Sequence, residues 1–235
     1  MHLASPFGIP VRVHSSFFGL VVFFAGWGFY QAGGVGVLAS VVAVAVLAVS
    51  VVLHELGHAL AARRYDIATE SITLYPFGGI AAIERMPEEP DQEMVIALAG
   101  PAVNFVLAAM AGGLWLLTGF APFALMAMMN GGMGAFNLIP AFPMDGGRVL
   151  RAVLARRMGF LPASRLSVRI GRIFAWGFVV LGLVKFWPSL ALVGVFLLVA
   201  LHQERERLVW MTWEKHTGRR PPWDPDTSAL RPFFR

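Results

Sequence analysis

Cysteine is absent from all 235 residues, which excludes a thiol nucleophile, a disulfide and any cysteine-containing metal site. Should a metal be held, His, Asp and Glu are left as its protein ligands. Charge is scarce too, at 14% of residues, and lysine is scarcer still: only Lys185 and Lys215 occur, so 17 of the 19 basic residues are arginine. No polar stretch is long enough to form a separate soluble module of PDZ or regulatory size, and the length suits one polytopic domain. What is abundant is apolar: 57% hydrophobic residues and a mean hydropathy of +0.66. The isoelectric point near 10.4 suggests nucleic acid as a partner. Because the arginines flank apolar runs, their placement fits the positive-inside rule instead, and no nucleic-acid partner is expected.

Six candidate spans emerge from length and scarcity of charge: Ser16 to Tyr30, Val35 to Ala62, Glu93 to Phe120, Pro122 to Ile139, Arg165 to Phe186, and Ser189 to His202 with a polar extension to Leu208. The first is read as a retained helix rather than a signal peptide, since no basic segment opens the chain and a second apolar run follows at once. The links Gln31 to Gly34, Thr118 to Pro122 and Phe186 to Ser189 are short and nearly uncharged, whereas all basic residues except Lys185 fall on the other side. Both termini are therefore expected in the cytoplasm. Between the second and third spans, Glu70 to Glu84 mixes β-branched and aromatic residues around Gly78-Gly79. The expected fold is an all-α polytopic membrane protein of six transmembrane helices, with a small membrane-associated β-hairpin or strand segment between helices 2 and 3. Residues 1–208 would form the six-helix domain and 209–235 a cytoplasmic C-terminal tail.

The run Gly36 to Leu53 is uncharged and long enough to cross a bilayer, and it is followed directly by His54-Glu55-Leu56-Gly57-His58. Positions i and i+4 share one face of a helix, so the two imidazoles can converge on one metal ion with Glu55 beside it as general base. Ionisable residues inside a membrane are functional candidates by default. A zinc hydrolase needs a third protein ligand and an open position for water. The best source is Asn137-Leu138-Ile139-Pro140-Ala141-Phe142-Pro143-Met144-Asp145-Gly146-Gly147, where two prolines remove backbone donors and two glycines permit positive φ, so the helix is expected to break. Irregular backbone at membrane depth is tolerated where it is buried or lines a wet cavity, which would aim Asp145 into that cavity. The alternative is that Asp145 caps the helix Arg148 to Arg157.

The pairing of His54-Glu55-Leu56-Gly57-His58 with the Asn137 to Gly147 segment resembles the site-2 protease family of intramembrane zinc metalloproteases. The segments Gly8-Ile9-Pro10-Val11-Arg12-Val13-His14 and Pro76-Phe77-Gly78-Gly79 are similar to its compact, PDZ-lacking branch, which includes the sporulation-factor protease of Bacillus. The resemblance covers about Phe7 to His202. It implies one zinc ion per chain held by His54, His58 and Asp145, with Glu55 activating water to cleave a peptide bond in or near the transmembrane segment of a membrane-anchored protein. Asn104 resembles an asparagine near the family's active site, which implies a hydrogen bond to the reacting carbonyl; an interhelical hydrogen bond is the blander reading. Some members carry C-terminal nucleotide-sensing CBS domains, and regulation by nucleotide is not expected here.

A helical substrate hides its amides and must be held extended, so Phe77, Gly78, Gly79 and Ile80 are expected to border the cleft and pair with it by strand addition. A simple membrane-dipping loop is the other reading. Partners are then a transmembrane protein substrate, the lipid bilayer and an inhibitory or regulatory membrane protein. Arginine-rich, lysine-poor composition with compact loops points to a multi-pass protein of a prokaryotic cell membrane. Two other function classes stand beside the protease: a catalytically inactive zinc-binding chaperone or substrate trap, and a metal or proton transporter. The presence of Glu55 argues against the first. The clustering of ionisable residues at one depth argues against the second. His14 is expected to be interfacial or structural, Asn137 to hold the broken segment, and the arginines from Arg148 to Arg172 to meet anionic headgroups.

Overall fold

The computed structural model describes residues 2–76, 78–84, 87 and 89–217, and the chain divides into two compact units. The first comprises Met1–Met86 and Ala99–Gly134, the second Pro87–Leu98 and Ala135–Arg235.

In the first unit, helix α1 (Ser15–Arg63) holds the first two expected spans as two arms. Its backbone leaves helical geometry at Ala32 (φ −149°, ψ 24°) and Gly33 (φ 59°, ψ −141°). A Cβ on Gly28 would lie 2.6 Å from the carbonyl carbon of Gly36. Eight residues along a straight helix the separation would be about 12 Å, so the chain doubles back here, as the Gln31 to Gly34 turn predicts. Gly33 supplies the positive φ the reversal requires. At the other end His14 caps α1, its Nδ1 accepting from the Ser16 amide at 3.2 Å while its ring stacks on Tyr75.

The predicted hairpin is present as β3 (Thr69–Tyr75) and β4 (Gly78–Ile83), joined with Tyr75 opposite Gly78. Two further strands, β1 (His2–Ala4) and β2 (Val11–Val13), extend it to a four-stranded sheet in the order β1-β2-β3-β4. The β2–β3 pairing is parallel and the other two are antiparallel. Three-residue strands are too short to announce themselves by alternation, which is why the N-terminal pair was not expected. Ile9, Val11 and Ile72 of the sheet region pack with Leu56 and Ala59 of α1 in one buried cluster. The sheet therefore rests on the arm that carries the HELGH sequence.

Helix α2 (Pro90–Thr118) covers most of the apolar run Glu93 to Phe120, and α3 (Ala121–Asn137) most of the run Pro122 to Ile139. In the second unit the expected break follows α3, and α4 (Asp145–Met158), α5 (Phe160–Val184) and α6 (Pro188–Thr217) complete the chain. α6 runs past Leu208, where a tail was expected to begin. The rest of the expected tail, 218–235, lies outside the described residues. Ala141, Phe142 and Met144 of the break pack with Val168, Ala175, Leu197 and Leu201 of α5 and α6.

One expectation is corrected: Gly146 and Gly147 are not among the positive-φ glycines. They lie in the first turn of α4, and a Cβ on Gly147 would sit 2.7 Å from the Phe142 amide nitrogen and 2.8 Å from the Ala141 carbonyl carbon. Close approach of helix to broken backbone, rather than φ, requires glycine here.

Among the described residues, three helices, α1, α2 and α5, are long and apolar enough to cross a membrane. Large apolar side chains such as Tyr30, Leu117 and Val184 are left on the surface at 81%, 84% and 67% exposure, an arrangement that suits lipid rather than water.

Candidate metal centre

His54 and His58 stand one turn apart on α1, and both are buried. Their Nε2 atoms are 3.1 Å apart and the rings lie nearly perpendicular, at 83°. Two nitrogens each about 2.0–2.1 Å from a tetrahedral zinc ion would be separated by about 3.3 Å, so the pair fits such an ion. Space in front of the rings comes from Gly100 on α2. A Cβ there would lie 2.6 Å from His58 Cε1 and 2.7 Å from His54 Nε2. Gly57 brings the two helices together: its Cβ would be 2.8 Å from the Ala99 carbonyl oxygen. Small residues at a helix crossing are the usual means of such approach in an apolar medium.

A buried polar chain fixes the state of His54. The Met126 carbonyl can only accept, and the Asn130 amide Nδ2 donates to it at 3.0 Å. Asn130 therefore turns its Oδ1 to Asn104, whose Nδ2 donates to it at 3.0 Å. Asn104 in turn presents its Oδ1 to His54 Nδ1, which must be the protonated nitrogen. Neutral His54 thus carries its lone pair on Nε2, the atom facing His58 and the metal position. Asn104 and Asn130 are completely buried. Sequence reasoning placed Asn104 near the reacting carbonyl. Here its oxygen faces His54 Nδ1 and one amide hydrogen is donated to Asn130. Asn130 was missed because nothing in an apolar helix marks one asparagine as the anchor of another.

Glu55 follows His54 on α1, and β4 lies over it: a Cβ on Gly79 would be 2.6 Å from Glu55 Cγ and 3.0 Å from Val51 Cγ1. Among the described residues β4 pairs with β3 alone, which makes it the sheet's terminal strand. Of the residues expected to border a cleft, Gly78, Gly79 and Ile80 are in β4, with Gly79 against Glu55; Phe77 lies outside the described residues.

In the second unit Asp145 is the first residue of α4 and is buried, with Met144 at the N-cap. That position sets its carboxyl group in the first turn of the helix, at the positive end of the helix dipole. The segment before it is held by Arg151, which the sequence had assigned to headgroups. Arg151 is 2% exposed and lies between the rings of Phe142 and Phe160 at 4.9 and 4.8 Å. It donates from Nε to Glu93 Oε1 at 2.9 Å and from an Nη to Glu204 at 3.1 Å. A buried cation stapled to two carboxylates and stacked on Phe142 thus fixes the chain just before the aspartate.

His54 and His58 in the first unit and Asp145 in the second are each buried. Two imidazoles and a carboxylate with no sulfur are a donor set that zinc accepts.

Comparison with known proteins agrees with this chemistry. The family model described as peptidase family M50 matches residues 42–121 and 114–178. Zinc metalloprotease MJ0392 of Methanocaldococcus jannaschii is 35% identical over 207 residues, covering 84% of this chain and 58% of the relative. Stage IV sporulation protein FB of Bacillus subtilis is 30% identical over 162 residues, covering 66% of this chain and 55% of its own length. The chain thus spans little more than half the length of these curated relatives. Among solved structures, the site-2 protease from Methanocaldococcus jannaschii superposes with a TM-score of 0.67 at 33% identity, over 87% of this chain and 94% of that one. With its model covering residues 42–178 and the paired histidines in place, the chain belongs to peptidase family M50, the site-2 proteases.

Proposed function

We propose that this chain is an intramembrane zinc endopeptidase that hydrolyses a peptide bond in or near the transmembrane segment of a membrane-anchored protein. The observation that carries the reading is the convergence of His54 and His58 Nε2 at 3.1 Å, with Gly100 leaving the space before them and Glu55 alongside. Asp145 supplies the third ligand and completes the protein set around one zinc ion. Zinc bound there would act as a Lewis acid and bring the pKa of water near 7. Glu55 takes the proton from the attacking water and delivers it to the departing amine nitrogen. Asn104 holds His54 in the tautomer that binds metal and serves the reaction through that ring.

The terminal strand β4 offers its free edge to an unwound substrate, and Gly79 sets that edge against Glu55. With Phe77, Gly78 and Ile80 it would hold a few substrate residues extended beside the base. The two arms of α1 with α2, α3, α5 and α6 make six crossings, residues 1–208 form the protease domain, and both termini face the cytoplasm of a prokaryotic cell. Arginine placement supports that orientation. An inhibitory or regulatory membrane partner remains part of the proposal, since a protease with an open strand edge needs control.

Co-expression with a panel of tagged single-pass proteins from the same genome tests the reading. Cleavage of at least one by the wild type, lost in Glu55→Gln and Asp145→Ala, is expected. Zinc retained with no cleavage across the whole panel would favour a substrate trap.

A further inference from the structure

α5 and α6 run antiparallel and touch through small residues: a Cβ on Gly182 would be 2.9 Å from Ala191 Cα, one on Gly194 2.7 Å from Val179 Cγ2, and one on Gly171 2.9 Å from Leu201 Cδ2. Beyond Gly171 the glycines stop and the helices enclose a groove of about 720 Å³. Its walls are Arg165, Val168, Arg169 and Arg172 on α5 and Arg205, Leu208, Val209 and Thr212 on α6. Both sets follow i, i+3, i+4, i+7, so one face of each helix lines the groove. Val168 and Leu208 are buried as its apolar floor, and the four arginines carry its charge.

Those charges are not balanced as others in this unit are. Arg151 is held by Glu93 and Glu204, and Arg156 Nε donates to Asp91 at 2.7 Å. Among the described residues, none of the four groove arginines has a carboxylate or a hydrogen-bond partner. Four guanidinium groups around one groove repel one another unless an anion lies between them. Guanidinium forks match phosphate oxygens, and several can share one phosphate.

The surface next to the groove selects the kind of phosphate. Along α5 the face of Arg165 and Arg169 continues through Ile173, Trp176 and Val180, exposed by 72%, 57% and 55%. Those residues belong to the part of α5 apolar enough to cross a membrane. A cationic cup opening onto an exposed apolar track has the polarity of a phospholipid: head in the cup, acyl chain along the track. A nucleic acid or an acidic peptide would have no use for the track.

We propose that the α5–α6 groove binds the phosphodiester headgroup of an anionic phospholipid. The inference rests on α5 crossing the bilayer and is independent of the protease chemistry. The full chain, purified in detergent, is offered phosphatidylglycerol or phosphatidylcholine and the retained lipid is counted by native mass spectrometry. Phosphatidylglycerol should be preferred, and Arg169→Gln with Arg172→Gln should weaken its retention about 30-fold. The Arg169→Lys, Arg172→Lys variant should recover most of it, and Arg12→Gln with Arg157→Gln, outside the groove, should not change it. An unchanged melting temperature in detergent for every variant reports an intact fold. Equal retention by the glutamine variant overturns the proposal. So does displacement of the lipid by millimolar inorganic phosphate, which would assign a free-phosphate site, or by an acidic peptide, which would assign a protein-docking site.

Discussion

Replacing Gly100 by alanine should weaken metal binding sharply without substituting a ligand. The added methyl would stand 2.7 Å from His54 Nε2 and 2.6 Å from His58 Cε1, on the side of the rings where the metal would lie. Ordinary contact begins near 3.5 Å, so the rings would have to withdraw by about 0.8–0.9 Å. Metal–ligand distances tolerate deviations of about 0.2 Å, a quarter of that displacement. Withdrawal is also opposed: His54 is tied through Asn104 and Asn130 to the Met126 carbonyl, and Gly57 holds α1 against Ala99. A loss on the order of 100-fold or more in zinc affinity follows, at least the effect of losing an outer partner of a ligand. Zinc per chain, measured by mass spectrometry after competition with a chelator of known affinity, reads it directly. Gly113→Ala is the control, because a Cβ at that position of α2 meets nothing within 4 Å. If Gly100→Ala kept one zinc per chain at the wild-type affinity, the placement of metal before the two Nε2 atoms would be wrong.

Other substitutions separate the remaining roles. Asn130→Leu, which touches no metal ligand, should lower zinc affinity about 10- to 100-fold by freeing the Asn104 amide to rotate, and an unchanged chelator titration would remove the tautomer argument. Arg151→Met leaves Glu93 and Glu204 buried without their cation and should destabilise the second unit by about 3–5 kcal/mol; an unchanged melting temperature in detergent would count against the staple. Gly79→Val presses on Glu55 from β4, so cleavage of a matched substrate should fall while zinc content stays at the wild-type value. Full cleavage by that variant would dissociate the strand edge from the reaction.

Much of this site is legible in the sequence because its chemistry is local. His54, Glu55 and His58 are placed by helical spacing alone, and the break before Asp145 by two prolines in an apolar run. What could not be read depends on contacts between distant segments. Gly100 and Asn130 matter through their neighbours across helices, and an isolated glycine or asparagine in a membrane span carries no pattern of its own. Arg151 sits in a run of seven arginines that reads as uniformly interfacial, and only the folded chain sets it apart by bringing Glu93 and Glu204 to it. The N-terminal strands were hidden by brevity, and the role of Gly146 and Gly147 was misjudged because glycine serves close approach as well as positive φ.

The proposed function stands on metal-dependent hydrolysis by Glu55 at a His-His-Asp site. It is tested most directly by reconstituting wild type and Glu55→Gln in liposomes with one tagged single-pass substrate and quantifying zinc and cleaved product in the same samples. The expected result is one zinc per chain in both and product only with the wild type, abolished when zinc is stripped and restored when it is returned. Product formed equally by Glu55→Gln, or undiminished after zinc removal, would contradict it.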